Sequence, residues 1–346
     1  MARITSELRN KVAAETSVRH AANAPFHPGL VIWMDGEFVS WQEATVHVMA
    51  HVLHYGSSVF EGIRCYDTTR GPAVFRLAEH VRRLYDSARI YKMQPDGDQA
   101  AFAAAIRETI ARNSFQACYI RPLIYRGLGA PGVNPLHSPV CSAIVCWDWG
   151  HYLGDGSIDQ GIDVCVSSWT RMAPNTLPTL AKTSANYMNS QLIKMEAIKA
   201  GYVEGIALDS DGYLSEGSGE NLFLVKNGTL LTPPLVSSVL PGITRDTVVQ
   251  LARRLRIPVE EARLPREMLY ISDEVFMTGT AAEITPVRSV DKITIGKGAR
   301  GPVTEALQKA FFDVIECRVP DEFGWLTPVR DVSAAGSVGA RRSTAG

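Results

Sequence analysis

The sequence predicts an α+β fold with two domains, a small open α/β domain followed by a larger β-rich domain with peripheral helices. The chain has 346 residues, of which 46% are hydrophobic and 21% charged, which is enough for two hydrophobic cores. Up to about residue 147, strand and helix patterns are mixed. Beyond it, short strands are separated by Asp-Gly and Asn-Gly turns, and this spacing is too short for the crossover helices of a parallel sheet.

The domain bounds follow from composition and pattern. Residues 1–29 lack periodicity and are expected to form a flexible extension. The small domain is assigned to residues 30–147, and residues 148–160, rich in Gly, Asp and Ser, are expected to be the interdomain linker. The larger domain is assigned to residues 161–330, and residues 331–346 have the composition of a disordered tail.

Local patterns place the individual elements. The run VIWMDGEFVSW predicts a hairpin that turns at Asp35-Gly36. Apolar positions at helical spacing predict one helix over residues 77–91 and a second between Phe102 and Ile110. Two β-rich runs, CYIRPLIYRG and CSAIVCWDW, complete the small domain. The larger domain has three predicted helices around its strands, near residues 186–200, 244–255 and 302–317.

Charge and composition argue against several classes of protein. Lys and Arg total 35 against 36 Asp and Glu, so no basic excess suggests nucleic acid. No apolar run approaches the roughly 18 residues of a membrane span. The six cysteines lie in apolar contexts without C-x-x-C spacing, which favours free, buried thiols over a disulfide or zinc framework. We therefore expect a cytoplasmic protein without a metal site.

The segment TLAKTSANYMNS contains an unusual lysine. Lys182 is the only lysine between Lys92 and Lys194, and it is flanked by small residues after a proline-punctuated apolar stretch. Tyr187 lies at the start of the predicted helix that follows. The segment fits either a surface loop or a cramped pocket that uses the amine for chemistry.

Two small-residue segments could bind an anion. In LPGITRDTVVQLARR, Pro241-Gly242 precedes a helix that begins near Thr244, and the amides of a helix N-terminus attract negative charge. The second segment, MTGTAAE at residues 277–283, offers further amides and two threonine hydroxyls. Taken alone, each fits a capped helix or a tight turn better. Neither matches a Walker loop or a Rossmann glycine fingerprint, which disfavours ATP and NAD.

Two further patterns contain charged residues among small or apolar ones. Glu216 and Glu220 flank a Gly-Ser-Gly run, where a carboxylate could lie against a flat ligand or both could be exposed turn residues. Tyr119 and Arg121 share one face of a strand, because side chains alternate along a strand. An arginine there could bind a carboxylate ligand bidentately or form a buried ion pair.

These features together meet the needs of pyridoxal phosphate. A lysine can form the Schiff base, an acid can keep the ring nitrogen protonated, and amide-rich loops can hold the phosphate. The combination therefore favours the functional interpretation of each motif over the structural one.

A family resemblance runs in order from about residue 30 to residue 328. It is carried by HVLHYGSSVFEGIRCY, RLYDSARIY, YIRPLIYRG, APNTLPTLAKTSANYMNSQL, EGIALDSDGYLSEGSGENLFLV, LPGITRDTVVQLA, EVFMTGTAAEITPVRSVD and GWLTPV. In these segments the chain closely resembles branched-chain amino acid aminotransferases, which are fold-type IV, class IV pyridoxal phosphate enzymes. The resemblance implies that the larger domain is a pseudo-barrel and that the cofactor lies between the domains. It also implies at least a homodimer, with a homohexamer as the larger alternative.

The resemblance assigns the cofactor contacts residue by residue. It makes Lys182 the Schiff-base lysine, Tyr187 the partner of the cofactor's 3-oxygen, and Glu216 the partner of the pyridine nitrogen. It places the phosphate in a cup formed by Arg83, Ile243, Thr244 and Thr280. From helical pattern alone, Arg83 would be predicted to be a solvated arginine.

The resemblance also assigns the substrate contacts. The α-carboxylate is expected at Tyr119 and the backbone amides of Ala281 and Ala282. An apolar side-chain pocket is expected between Phe60, Trp149, Tyr152 and Tyr187. The distal carboxylate of glutamate is expected at Arg121, together with Tyr55 and Val133 of the partner subunit.

The implied activity is reversible transfer of the amino group of L-leucine, L-isoleucine or L-valine to 2-oxoglutarate, giving a branched 2-oxo acid and L-glutamate. The partners are then small amino acids and 2-oxo acids. The same fold leaves open a D-amino acid or (R)-amine transaminase and an aminodeoxychorismate lyase. A non-catalytic pyridoxal phosphate binder is the alternative from a different class.

Overall fold

The computed structural model describes residues 27–28, 30–149, 153 and 156–330. In this part of the chain the strands form two nine-stranded sheets, and each sheet packs with its own helices. Most of the predicted extension, the predicted tail and Tyr152 lie outside the described residues. Within the described ranges, no helix combines the length and the hydrophobicity needed to cross a membrane.

The first sheet has the strand order β18-β6-β5-β7-β8-β2-β3, with β1 paired to β8 and β4 paired to β7. Its strands are β1 His27–Pro28, β2 Val31–Met34, β3 Glu37–Ser40, β4 Ser58–Phe60, β5 Ile63–Thr68, β6 Gly71–Phe75, β7 Cys118–Arg126, β8 Val140–Asp148 and β18 Leu326–Pro328. The helices of this part are α1 His51–Tyr55, α2 Leu77–Ile90 and α3 Gln99–Arg112.

The second sheet has the order β11-β10-β9-β16-β15-β12-β13-β14, and β11 also pairs with β12. This last pairing closes β9, β10, β11, β12, β15 and β16 into a ring, which confirms the predicted pseudo-barrel. The strands are β9 Ile162–Val166, β10 Glu204–Leu208, β11 Leu214–Gly217, β12 Asn221–Lys226, β13 Thr229–Thr232, β14 Val259–Glu261, β15 Glu274–Gly279, β16 Glu283–Val290 and β17 Ile293–Thr294. The helices are α4 Ser157–Gln160, α5 Asn186–Lys199, α6 Ile243–Arg254, α7 Met268–Ile271 and α8 Pro302–Ile315, with a 3₁₀ turn at Leu235–Ser237.

Local chemistry explains why the predicted elements form. The β2–β3 hairpin turns at Asp35 and Gly36, which have φ angles of 47° and 95°, as a two-residue hairpin turn requires. Along α2, the apolar residues at helical spacing, such as Val81 and Leu84, are buried against the first sheet. Asp98 caps α3 by accepting a hydrogen bond from the N–H of Ala101.

The segment that carries Lys182 lies where the two sheets meet. It connects β9 to α5 in the barrel half, yet it pairs with β4 of the first sheet through a bridge between Val59 and Thr183. The N–H of Phe60 donates to the carbonyl of Lys182, and the N–H of Ser184 donates to the carbonyl of Ser58. These bonds fix the lysine at the boundary between the two halves of the molecule.

The C-terminal strand crosses back to the first half. Strand β18, which falls in the range assigned from sequence to the larger domain, pairs with β6 of the first sheet. Trp325, just before it, is buried against Phe75. After the barrel half, the chain therefore returns to the first half and packs against its sheet.

Candidate active site

Lys182 faces a cleft between the two sheets. Its Nζ lies 2.6 Å from Oη of Tyr187, which is the second residue of α5. Its backbone N–H donates to Oγ of Ser87 on α2 at 3.0 Å. These bonds hold the backbone of Lys182 in place, and its side chain lines the cleft.

Glu216 is buried at the far side of the same cleft, on β11. Oε1 accepts a hydrogen bond of 2.7 Å from Nη2 of Arg171. Oε2 accepts from Nδ2 of Asn221 at 3.1 Å and from the N–H of Leu240 at 2.9 Å. A buried carboxylate is tolerated only when it is paired and hydrogen-bonded, and Glu216 meets both conditions. The exposed-turn alternative for this residue is therefore excluded.

An anion cup lies at the N-terminus of α6. Ile243 and Thr244, the first residues of the helix, line the cleft together with Thr280 and Arg83. Nη1 of Arg83 donates to the carbonyl of Pro241 at 2.8 Å, which ties the guanidinium to the loop that enters the helix. The positive end of the helix dipole and the arginine charge thus favour the same anion.

Arg83 is not the solvated arginine that helical pattern predicts, since its side chain is only 11% exposed. Nε and Nη2 donate to the two carboxylate oxygens of Glu61 at 2.6 and 2.8 Å, and Glu61 is fully buried. Nδ1 of His80 lies 2.7 Å from Oε2 of Glu61. Burial alone would raise the pKa of Glu61, but the charges of Arg83 and His80 outweigh it and hold that pKa well below its usual range.

The aromatic side of the cleft surrounds a second arginine. The guanidinium of Arg121 lies 4.7 Å from the ring centre of Phe60, and its Nη2 lies 3.3 Å from Oη of Tyr119. Trp149 packs edge-on against Tyr119, with ring centres 4.6 Å apart. No carboxylate among the described residues forms an ion pair with Arg121, so the buried-ion-pair alternative does not hold there. Its cation is therefore available to a carboxylate ligand.

Close packing around Tyr119 requires a glycine. A Cβ at Gly62 would lie 1.9 Å from Oη of Tyr119. Only a glycine lets the phenol reach the cleft at this point. Opposite it lies the turn between β15 and β16, where Ala281 and Ala282 line the cleft.

Two predicted substrate residues, Tyr55 and Val133, lie outside the cleft. Tyr55 and Val133 are exposed, at 46% and 81%, and are not among the residues that line this cleft. Both lie on the surface formed by α1 and the 127–136 segment, where His51 contacts the carbonyl of Gly132. The expectation that they act from a partner subunit stays a prediction, and Tyr152 lies outside the described residues.

Sequence reasoning missed several residues that line the cleft or support its side chains. Arg171, Asn221 and Glu61 hold predicted site residues, but their own segments carry no local signal. Glu220, singled out from the sequence without a role, is buried and lines the cleft. Burial, with the nearby Glu204 carboxylate, raises the pKa of Glu220 to about 8.

The cleft fits pyridoxal phosphate. It joins an amine, a buried carboxylate with charged and hydrogen-bonding partners, and an anion cup, which are the groups that this cofactor needs. At Gly242 an added Cβ would lie 1.8 Å from Oδ1 of Asn221, so only glycine brings the cup this close to the Glu216 end. The residues that would hold the cofactor are Lys182, Tyr187, Glu216, Arg83, Ile243, Thr244 and Thr280.

Comparisons with known proteins agree with this cleft. Residues 58–290 match the family model of amino-transferase class IV. The branched-chain-amino-acid aminotransferase of Salmonella typhimurium is 55% identical over 299 residues, which are 86% of this chain and 97% of that protein.

Solved structures agree as well. The crystal structure of the Escherichia coli branched-chain amino acid aminotransferase has a TM-score of 0.86 at 54% identity and covers 87% of this chain and 100% of that one. The branched-chain amino acid aminotransferase of Thermobaculum terrenum, solved in its PLP-form, has a TM-score of 0.83 at 34% identity, covering 88% of this chain and 100% of that one. Fold, cleft and relatives lead to one conclusion: this chain belongs to the class IV aminotransferases.

Proposed function

We propose that this chain is a branched-chain amino acid aminotransferase, which uses pyridoxal 5′-phosphate to move the amino group of L-leucine, L-isoleucine or L-valine to 2-oxoglutarate. The observation that carries the proposal is a single cleft in which Lys182 faces both the buried Glu216 and an aromatic wall with a cation, Arg121. An aliphatic side chain and a second carboxylate are the two substrate features that such a wall can accept.

Bound in the cleft, pyridoxal phosphate would take up the amino group of the donor and withdraw electrons from its α-carbon. The protein's own side chains transfer the proton and orient the reacting groups. Nζ of Lys182 takes the proton from the donor's α-carbon and, in the reverse half-reaction, returns a proton to the α-carbon of the acceptor. Oη of Tyr187, 2.6 Å away, orients that amine. Glu216 would accept a hydrogen bond from the ring nitrogen of the bound cofactor and would keep a proton on it.

The two substrates use different parts of the same wall. Phe60, Trp149 and Tyr187 offer apolar surface to a branched side chain, while Arg121 at its edge can bind the distal carboxylate of 2-oxoglutarate or glutamate. Their common α-carboxylate would bind at Tyr119 and the amides of Ala281 and Ala282. The donor leaves as a 2-oxo acid, and the acceptor leaves as L-glutamate.

A homodimer is the smallest assembly that we propose, and a homohexamer would be built from such dimers. Support comes from apolar side chains that are exposed on the surface of α1 and the 127–136 segment. This apolar surface comprises Leu53, Tyr55, Leu128, Val133 and Leu136. Exposed apolar clusters of this kind mark protein interfaces. A cytoplasmic location is supported by the six cysteines, all free.

The test is a donor panel on purified, cofactor-loaded protein with 2-oxoglutarate as acceptor. We expect L-leucine, L-isoleucine and L-valine to give L-glutamate, and D-alanine and (R)-1-phenylethylamine to give none. Transfer from D-alanine alone, or release of pyruvate from aminodeoxychorismate without an acceptor, would assign the chain to another activity of this fold. Lys182→Ala serves as the inactive control.

A further inference from the structure

Arg126, the last residue of β7, is a buried cation without an acidic partner. It is only 5% exposed. Among the described residues, no carboxylate forms an ion pair with it. Burial lowers the pKa of its guanidinium, as is typical of a cation that no opposite charge stabilises. Its charge is therefore balanced by backbone carbonyl groups.

The first of these carbonyls lies at the end of helix α2. Nη2 of Arg126 donates to the carbonyl of Lys92 at 2.7 Å. Lys92 has a φ of 54°, and its N–H donates to the carbonyl of Arg89, which is how this helix ends. A helix C-terminus carries the negative end of the helix dipole and favours a cation. The end of α2 therefore takes the place of a carboxylate.

The second carbonyl belongs to the β7–β8 loop, residues 127–139. Nη1 of Arg126 donates to the carbonyl of Ser138 at 3.1 Å, so the residue before the loop holds the far end of the loop. The N–H of Gly127 donates to the carbonyl of Pro139 at 2.8 Å. An added Cβ at Gly129 would lie 2.6 Å from Cα of Ser138, so the two arms are in direct contact. Arg126 thus fastens both arms to α2.

The tip of the β7–β8 loop is held from α1. Nε2 of His51 lies 3.1 Å from the carbonyl oxygen of Gly132, and its Nδ1 lies 2.7 Å from Oγ of Ser57. Gly132 has a φ of 114°, which only glycine adopts without strain. The next residue, Val133, is 81% exposed. The loop is therefore held at its base and near its tip, and Val133 extends from this support.

We propose that Arg126 is a positioning residue for substrate specificity, which holds the β7–β8 loop so that Val133 reaches the distal end of the substrate in the partner subunit's cleft. Arg126 does not line the cleft of its own subunit. Helix α2, to which it fastens the loop, also carries Arg83 and Ser87, which support the anion cup and the backbone of Lys182. The proposal rests on the proposed function, which supplies the homodimer and the place of Val133.

The test compares acceptors of different length. The acceptor half-reaction is followed in single turnovers of protein whose cofactor already carries the amino group, so that the donor does not contribute. For Arg126→Met we expect the half-saturating concentrations of 2-oxoglutarate and 4-methyl-2-oxopentanoate to rise about tenfold, because displacing a group at the substrate is costly. Pyruvate is too short to reach the loop, and its value should stay within about twofold of wild type.

Arg89→Met is the matched control. It removes an exposed arginine from the last turn of the same helix, α2, and should change none of the three half-saturating concentrations.

Two heterodimers, purified through different tags on their subunits, separate the loop from the cleft of its own subunit. In the first, a Lys182→Ala subunit is paired with an Arg126→Met subunit, so the working cleft faces an intact loop. In the second, a subunit with both substitutions is paired with wild type, so the working cleft faces the altered loop. We expect the first heterodimer to bind 2-oxoglutarate like wild type and the second to show the full loss.

Unchanged acceptor binding by a folded, dimeric Arg126→Met would overturn the proposal, and so would an equal loss for pyruvate. A loss that stays with the altered subunit's own cleft in the heterodimers would also overturn it. Dissociation of Arg126→Met into monomers would contradict it as well, because Arg126 would then serve assembly.

Arg126→Lys guards against failure of the methionine variant to fold. It keeps the charge at the end of α2 and can reach one carbonyl at a time, so we expect a loss for the two longer acceptors between those of wild type and Arg126→Met. Failure of the proposed function is a separate result, visible as a wild type that is monomeric or does not transaminate L-leucine.

Discussion

Nη2 of Arg171 lies 2.7 Å from Oε1 of Glu216, and both side chains are buried beside the candidate cofactor site. The arginine compensates the buried negative charge and fixes the rotation of the carboxylate. Nη1 of Arg171 is itself held by Oδ1 of Asn189 at 2.9 Å. The pair therefore sets both the charge and the direction of the carboxylate that we propose to face the ring nitrogen of the cofactor.

Glu216→Gln should lower the rate of L-leucine transamination at least 100-fold, because an amide cannot hold a proton on the ring nitrogen, and catalytic proton transfers are worth about 10² to 10⁴ in rate. The measurement is the single-turnover rate with L-leucine, with the absorbance spectrum of the bound cofactor as a second readout. Glu260→Gln, at an exposed glutamate, is the control. A loss of only a few-fold would mean that another group performs this task.

Glu61→Gln should weaken binding of pyridoxal phosphate at least tenfold. The neutral amide leaves Arg83 without its buried partner, and breaking such a pair is costly. Reconstitution of the apoprotein with pyridoxal phosphate and with pyridoxal separates the phosphate effect from the rest. Glu108→Gln, which breaks an exposed pair with Arg112, is the control and should change neither affinity. Equal losses for both cofactor forms would contradict the role given to Arg83.

Arg121→Met should raise the KM for 2-oxoglutarate at least tenfold and leave the KM for 4-methyl-2-oxopentanoate within about threefold. The reason is that Arg121 can form two charge-assisted hydrogen bonds with a distal carboxylate, which only 2-oxoglutarate has. Steady-state kinetics with both acceptors gives the ratio. Arg112→Met removes an arginine that lies 4.0 Å from the ring centre of Phe38, outside the cleft, and serves as control. Equal effects on the two acceptors would assign Arg121 a packing role.

The stability of the protein should depend on pH through Glu220. Burial and the neighbouring Glu204 raise its pKa to about 8, whereas the unfolded chain releases the same proton near pH 4.3. Between these values the folded state binds the extra proton, so Glu220 makes the protein less stable as the pH rises from about 4.3 to 8. The glutamine in Glu220→Gln does not titrate, so the variant should not lose stability in this way.

Thermal unfolding of wild type and Glu220→Gln at pH 5 and pH 8 measures the effect. We expect the Tm of the variant, relative to wild type, to be higher at pH 8 than at pH 5. Glu260→Gln should follow the wild type at both values. A Tm difference between Glu220→Gln and wild type that is the same at both pH values would show that Glu220 is charged in the folded state.

The sequence contained the signals for Lys182 and Glu216 because both stand next to small residues in short segments. Their supporting residues could not be found in this way. Arg171 is 45 residues from Glu216, and Ser87, which holds the backbone N–H of Lys182, is 95 residues from it. Local periodicity carries no information on such pairs, since only the assembled fold brings them together. Arg83 is a second example. Its position in the helix predicts a solvated side chain, and only the folded structure brings Glu61 into contact with it.

The two-part α+β fold was predictable because its helices show clear apolar faces and its hairpins show Gly-containing turns. Strand β18 shows what local pattern omits. It has three residues, Leu326–Pro328, too few for an alternation signal, and its partner β6 lies more than two hundred residues earlier in the chain. Its place in the first sheet follows from tertiary packing around Trp325.

The most direct test of the central claim is to find the amine that holds the cofactor. The loaded protein is reduced with borohydride, digested, and mapped for the pyridoxyl group. We predict a single labelled peptide with the label on Lys182, the amine that lies 2.6 Å from Oη of Tyr187. A label on any other lysine, or no label on a protein that has taken up the cofactor, would contradict the account.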